Sequence, residues 1–99
     1  MAKFERQLNA RASELVRFVD EAVIDGMQAE LIDMAVQRVS GMRICLWCLK
    51  LPRGNASLQL IGSDSGVATV TAISQDAAFV DGVEALLDEF QPQREQKMM

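Results

Sequence analysis

Histidine is absent from this chain, and so is tyrosine. Without histidine there is no Ser-His-Asp triad, no imidazole acid or base, and no His-ligated metal site. Cysteine occurs twice, too few for one chain to close a four-ligand structural zinc site. No apolar run approaches the ~20 residues that span a bilayer. The opening residues Met1-Ala2-Lys3-Phe4-Glu5-Arg6 carry charge with no apolar stretch behind them. No signal peptide is therefore read, and the cytoplasm is the expected compartment, with no membrane partner. Aromatic residues make up only 5% of the chain, too few to build the stacking platform of an RNA-binding sheet. With an acidic total charge as well, nucleic acid is not an expected partner.

What the chain does contain is the balance of one soluble globular domain. It has 99 residues, 49% hydrophobic and 24% charged, which bounds it to a single unit. That unit is expected over residues 1–92, with 93–99 as a frayed tail after Pro92. The net charge of -4 is unevenly placed. Between Met34 and Gly62 the charged residues are Arg38, Arg43, Lys50 and Arg53, all basic. The stretch Asp76 to Phe90 carries Asp76, Asp81, Glu84, Asp88 and Glu89 and no base. Basic residues at strand edges and acids on the outer side of a helix account for this pattern.

Two stretches read as helices. From Ala10 to Asp25, Leu15, Val19, Ala22 and Val23 recur at helical spacing, and Val16 and Phe18 widen the stripe. Gly26 is the expected left-handed stop. From Asp76 to Phe90, Phe79, Val80, Val83, Leu86, Leu87 and Phe90 form an apolar face, and Asp76 suits the positive end of the helix dipole. Gly82 costs that helix roughly 1 kcal/mol relative to alanine.

Between them the period changes to two. Ile32, Met34 and Val36 alternate with Asp33, Ala35 and Gln37, as in a half-buried strand. Ser40-Gly41 marks a turn, Met42 to Leu51 a second strand, and Pro52-Arg53-Gly54-Asn55 a further turn. Ala56, Leu58 and Leu60 alternate with Ser57 and Gln59 in a third strand. Gly62-Ser63-Asp64-Ser65-Gly66 is a loop, and β-branched Val67 to Ser74 a fourth strand. Lys3 to Leu8 fits a helix face or an edge strand, and the strand is preferred. The expected fold is α+β in two layers. A four-stranded antiparallel meander, five-stranded if Lys3 to Leu8 is extended, carries an N-terminal and a C-terminal helix on one face.

The strand Met42 to Leu51 is apolar on both sides. Ile44, Leu46 and Cys48 point one way, and Cys45, Trp47, Leu49 and Leu51 the other. Helices can cover only one of these faces, so a second copy, a ligand or a partner is expected on the other. Trp47 is expected at the centre of that uncovered face, flanked by Cys45 and Leu49 and rimmed by Ser57 and Gln59 on the neighbouring strand, with Asp33 on the same side. An aromatic anchor with a polar rim is typical of interfaces.

Catalytic motifs are wanting. Cys45-Leu46-Trp47-Cys48 is a CxxC sequence, but the pair lies within a strand. There the Cα atoms stand ~10 Å apart and the side chains face opposite ways, beyond disulfide reach. Both read as free thiols packed as small hydrophobes. The Gly62 to Gly66 loop has Asp64 where a nucleophile elbow has serine, and lies between strands. No catalytic residue, metal or cofactor is expected. The reading is a non-catalytic homodimeric interaction module. A domain binding a small molecule or peptide on the same face is the alternative.

Several short runs carry a resemblance. They are Met1-Ala2-Lys3-Phe4-Glu5, Ile24-Asp25-Gly26, Met42-Arg43-Ile44-Cys45, Asn55-Ala56-Ser57-Leu58-Gln59-Leu60 and Ala72-Ile73-Ser74. Their order resembles a family of small bacterial proteins of unknown function, about a hundred residues long. The resemblance implies an opening strand and the same helix, four strands and helix, and it implies no activity. After Ser74 the chain departs from that family, because Gln75-Asp76 leads straight into the final helix. In size, acidity and element type the chain also resembles small dimeric chaperones for secreted bacterial proteins.

Overall fold

The computed structural model describes residues 1–63 and 65–90. Within them, five strands form one antiparallel sheet: β1 (Ala2–Leu8), β2 (Glu30–Val39), β3 (Met42–Leu51), β4 (Gly54–Gly62) and β5 (Ala68–Ser74). The strand order is β1-β5-β4-β3-β2. Four consecutive strands thus make a meander, and Ala2–Leu8 adds the fifth beside β5. Helix α1 (Ala12–Phe18) runs into a π-helical segment, Val19–Asp25, and helix α2 (Ala77–Glu89) follows β5. No helix among the described residues is long and apolar enough to cross a membrane. The tail expected at 93–99, and Asp64 in the expected loop, lie outside the described residues.

Turn chemistry sets the register. Ser40 and Gly41 have φ of 52° and 80°, the paired positive values of a two-residue hairpin turn whose twist matches its strands. Val39 therefore faces Met42, and the pairing proceeds through Arg38↔Arg43 to Met34↔Trp47. Across the whole sheet one row runs Met34, Trp47, Leu58, Ala72, Phe4. The next row runs Asp33, Cys48, Ser57, Ile73, Lys3, on the opposite face.

The first of these faces supplies the sheet's share of the core. Cys45, Trp47, Leu49, Leu58, Leu60, Val70 and Ala72 join Leu15, Val19, Val23, Phe79, Val83 and Leu87 in one buried apolar cluster. Helix α2 packs against β1 and β5, and α1 against β4. The helices close on each other through Phe18 and Phe90, whose rings meet edge to face at 5.3 Å. Arg6 of β1 reaches Glu84 and Asp88 on α2, a surface network that holds the first strand under the last helix.

The expected helix from Ala10 to Asp25 is real in its buried stripe but not in its pitch. Leu15, Phe18, Val19 and Val23 are buried as the spacing implies. Beyond Phe18, however, the helix widens, and Ala29 donates to the Ile24 carbonyl at 3.0 Å, five residues back. Gly26 is not the left-handed stop the sequence suggests. Its φ is -71°, and Gln28, with φ 57°, is the residue that turns the chain. Gly26 is instead required for close approach, since a Cβ there would stand inside the Ala22 carbonyl oxygen. Gly82 has a packing reason of its own: the tip of Met27 fills the space its side chain would take.

Ser74 is the one buried polar side chain of the core among the described residues. Its hydroxyl donates to the Asn55 carbonyl at 2.8 Å and accepts from the Asp76 N–H at 3.0 Å. Asp76 in turn caps α2 by accepting from the Ala78 N–H. One hydroxyl thus ties β4 and β5 to the start of α2. Ser74→Ala is expected to cost about 1–3 kcal/mol, because two backbone groups lose their partner in a buried place. Chemical denaturation checks this, and an unchanged midpoint would show that water replaces the hydroxyl.

Candidate functional site

The six residues that the sequence grouped as one surface divide between two faces. Trp47, Cys45 and Leu49 belong to the buried cluster that includes residues of both helices, and Trp47 has no exposed surface. The register explains the correction. Trp47 pairs with Leu58, so its neighbours across the strand are apolar and its face is the core face. Ser57 and Gln59 pair with Cys48 and Leu46 on the other side of the sheet, both half-buried. Asp33 pairs with Cys48 and belongs with them. An anchor at Trp47 with a rim at Ser57 and Gln59 is therefore excluded by the geometry.

Cys45 and Cys48 are free thiols on opposite faces, the first buried and the second half-buried. Burial pushes the Cys45 thiol above its ordinary value, against the pull of Arg43 and Arg38. It stays protonated at neutral pH, and a protonated thiol is a poor nucleophile. The Trp47 indole N–H is buried and has no hydrogen-bond partner.

What the sequence did not single out is β2 itself. All ten of its residues are exposed. Leu31, Ile32, Met34, Val36 and Val39 are large apolar side chains on this one strand, with Ile32 at 58% and Val36 at 54% exposure. Met42 and Leu46 on β3 and Ile61 on β4 are exposed as well, on the face opposite Met34 and Val36. Elsewhere only Met1 and Val67 expose large apolar side chains among the described residues. Exposed apolar residues scattered singly are ordinary, whereas a contiguous concentration at one edge marks a contact surface.

The two sides of β2 differ. Leu31, Met34 and Val36 continue the core face to the edge of the sheet, next to Leu49, Trp47 and Cys45. Val39 continues the other face beside Met42, and Ile44 and Ile61 lie opposite each other on β3 and β4. A bulge between Leu31 and Asp33 leaves Ile32 unpaired, and breaks the alternation expected of Ile32, Met34 and Val36. Ile32 instead lies with Cys48, Ser57 and Ile73 along an open cleft of about 370 Å³. Arg38 and Arg43 face each other and make the hairpin end of this edge basic, while Glu30 and Asp33 make its other end acidic.

Among the described residues no three cysteine, aspartate or glutamate side chains are grouped so as to hold a metal ion. Comparisons with protein-family models, with curated proteins and with solved structures find no match.

Proposed function

We propose that this chain is a non-catalytic, cytoplasmic association module that forms a homodimer through its β2–β3 edge. In this reading the two helices form one layer over the core face of the sheet. That layer ends short of β2, and a second copy covers what it leaves open. The observation that carries the reading is the concentration of eight large exposed apolar side chains on β2 and the adjoining parts of β3 and β4. A ten-residue edge strand with five large apolar side chains in water is a template for uncontrolled pairing, and twofold dimers are the commonest oligomers. The lack of histidine and the burial of the Cys45 thiol support a binding role over a catalytic one.

Native mass spectrometry of gently purified protein, beside the denatured mass of the same sample, tests this. The expected result is twice the chain mass with nothing added. A monomer carrying extra mass that is lost on denaturation would replace the homodimer with a small-molecule or peptide-binding domain. The cleft beside Ile32 would be its first candidate seat.

A further inference from the structure

The free edge of β2 has a defined set of backbone groups. In a two-residue hairpin the closing pair, here Val39 and Met42, exchanges both N–H···O bonds. Bonded pairs recur at every second residue. Gln37, Ala35 and Asp33 thus turn their backbone groups toward β3, and Arg38, Val36 and Met34 turn theirs off the sheet. The Met34 N–H fits this assignment, since it is held by the Asp33 carboxylate at 2.9 Å.

We propose that β2 pairs antiparallel with β2 of a second copy about a twofold axis at Ala35, joining two five-stranded sheets into one of ten strands. This rests on the homodimer reading above and specifies its geometry. Residues opposite each other must share a face, so the axis can pass through Met34, Ala35 or Val36. An axis at Met34 runs Val36 into the bulged Ile32 and leaves Asp33 against Ala35. An axis at Val36 sets Met34 against Arg38 and Asp33 against Val39. The axis at Ala35 sets Met34 against Val36 and Asp33 against Gln37, twice over, and brings the bulged Ile32 only against Arg38, at the ends of the paired stretch.

In that register the side chains complement one another on both faces. On the core side, Met34 and Val36 of each copy form a four-membered apolar cluster that continues the row through Trp47 and Leu58. On the other side, the smallest side chain of the strand sits at the crossing, where Cα atoms approach to ~4.5 Å. The Met34 N–H passes from the Asp33 carboxylate to the Val36 carbonyl of the second copy, and the carboxylate accepts from the Gln37 amide instead. Charge is also accommodated. Arg38 and its mate are six residues apart along the paired strands, ~20 Å, about two screening lengths at physiological salt.

Disulfide trapping tests the register. Ala35→Cys in a Cys48→Ser background places two thiols at the crossing, within the ~4.4–6.8 Å Cα range of a disulfide. Asp33→Cys in the same background is the control, because its mate lies four residues away, at ~14 Å. Mild oxidation should link Ala35→Cys into a covalent dimer at least tenfold faster than Asp33→Cys. If the native protein sediments as a dimer but Ala35→Cys links no faster than the control, the edge pairing is wrong and the homodimer stands. Linkage through Ile61→Cys would then show that the sheets meet face to face. If the native protein sediments as a monomer up to high micromolar concentration, both readings fall.

Discussion

Replacing Trp47 with alanine is expected to cost about 3–5 kcal/mol, the range for removing a large aromatic from a packed core. Domains of this size are stable by roughly 5–15 kcal/mol, so the variant will be marginally folded. The reason is placement. Trp47 is fully buried, between Met34 and Leu58 in the row that runs from Met34 to Phe4. Trp47→Phe separates this from any role of the indole N–H. That group has no acceptor, and leaving a donor unpaired costs about 1–3 kcal/mol in the native protein. Phenylalanine removes the cost while giving up part of the packing, so its stability should lie within about 1 kcal/mol of native. Urea denaturation followed by far-ultraviolet circular dichroism reads both. An alanine variant as stable as the native protein would place Trp47 outside the core.

Val36→Lys should act the other way, sparing the fold and abolishing association. Val36 is more than half exposed in the single chain, where surface substitutions change stability by about 0.5 kcal/mol or less. At a β2 contact the same lysine would be brought against apolar partners. Desolvating an unpaired charge in such a place costs several kcal/mol. Each 1.4 kcal/mol is tenfold in affinity, so the dissociation constant should rise at least a hundredfold. Gln7→Lys, on the far edge of the sheet, adds the same charge and should leave association unchanged. Sedimentation velocity over a dilution series compares the three proteins. Equal weakening by both lysines would mean that net charge rather than the β2 surface governs the mass.

The strands were legible because turn chemistry and alternation agree. Met42–Leu51 has the limits that Ser40-Gly41 and Pro52 imply, and Asp76 caps the last helix where its acidic start suggests. The side taken by Trp47 was misread because its own strand is apolar on both faces and cannot decide. The decisive signal lay one turn further on. If Pro52 and Arg53 form a two-residue connection, Leu51 faces Gly54, and counting back sets Trp47 against Leu58 rather than against Ser57 or Gln59. The apolar set Ala56, Leu58 and Leu60 then identifies the core face. The widening of the first helix had no comparable mark, because apolar spacing of three and four residues suits both pitches.

The exposure of β2 was not legible for a different reason. Its alternation is that of a half-buried strand, and position in a sheet is a property of the whole fold. Ala2–Leu8 pairs with β5, which draws α2 toward β1 and β5 and leaves β2 at the opposite edge. Nothing local to residues 30–39 encodes that outcome.

Amide hydrogen exchange over residues 30–39, measured across a wide range of protein concentration, tests the central claim most directly. If a second copy covers β2, its outward amides will exchange freely in dilute solution and slow as concentration rises, while those of β1 remain unchanged. Exchange in β2 that stays fast at every concentration would contradict the account.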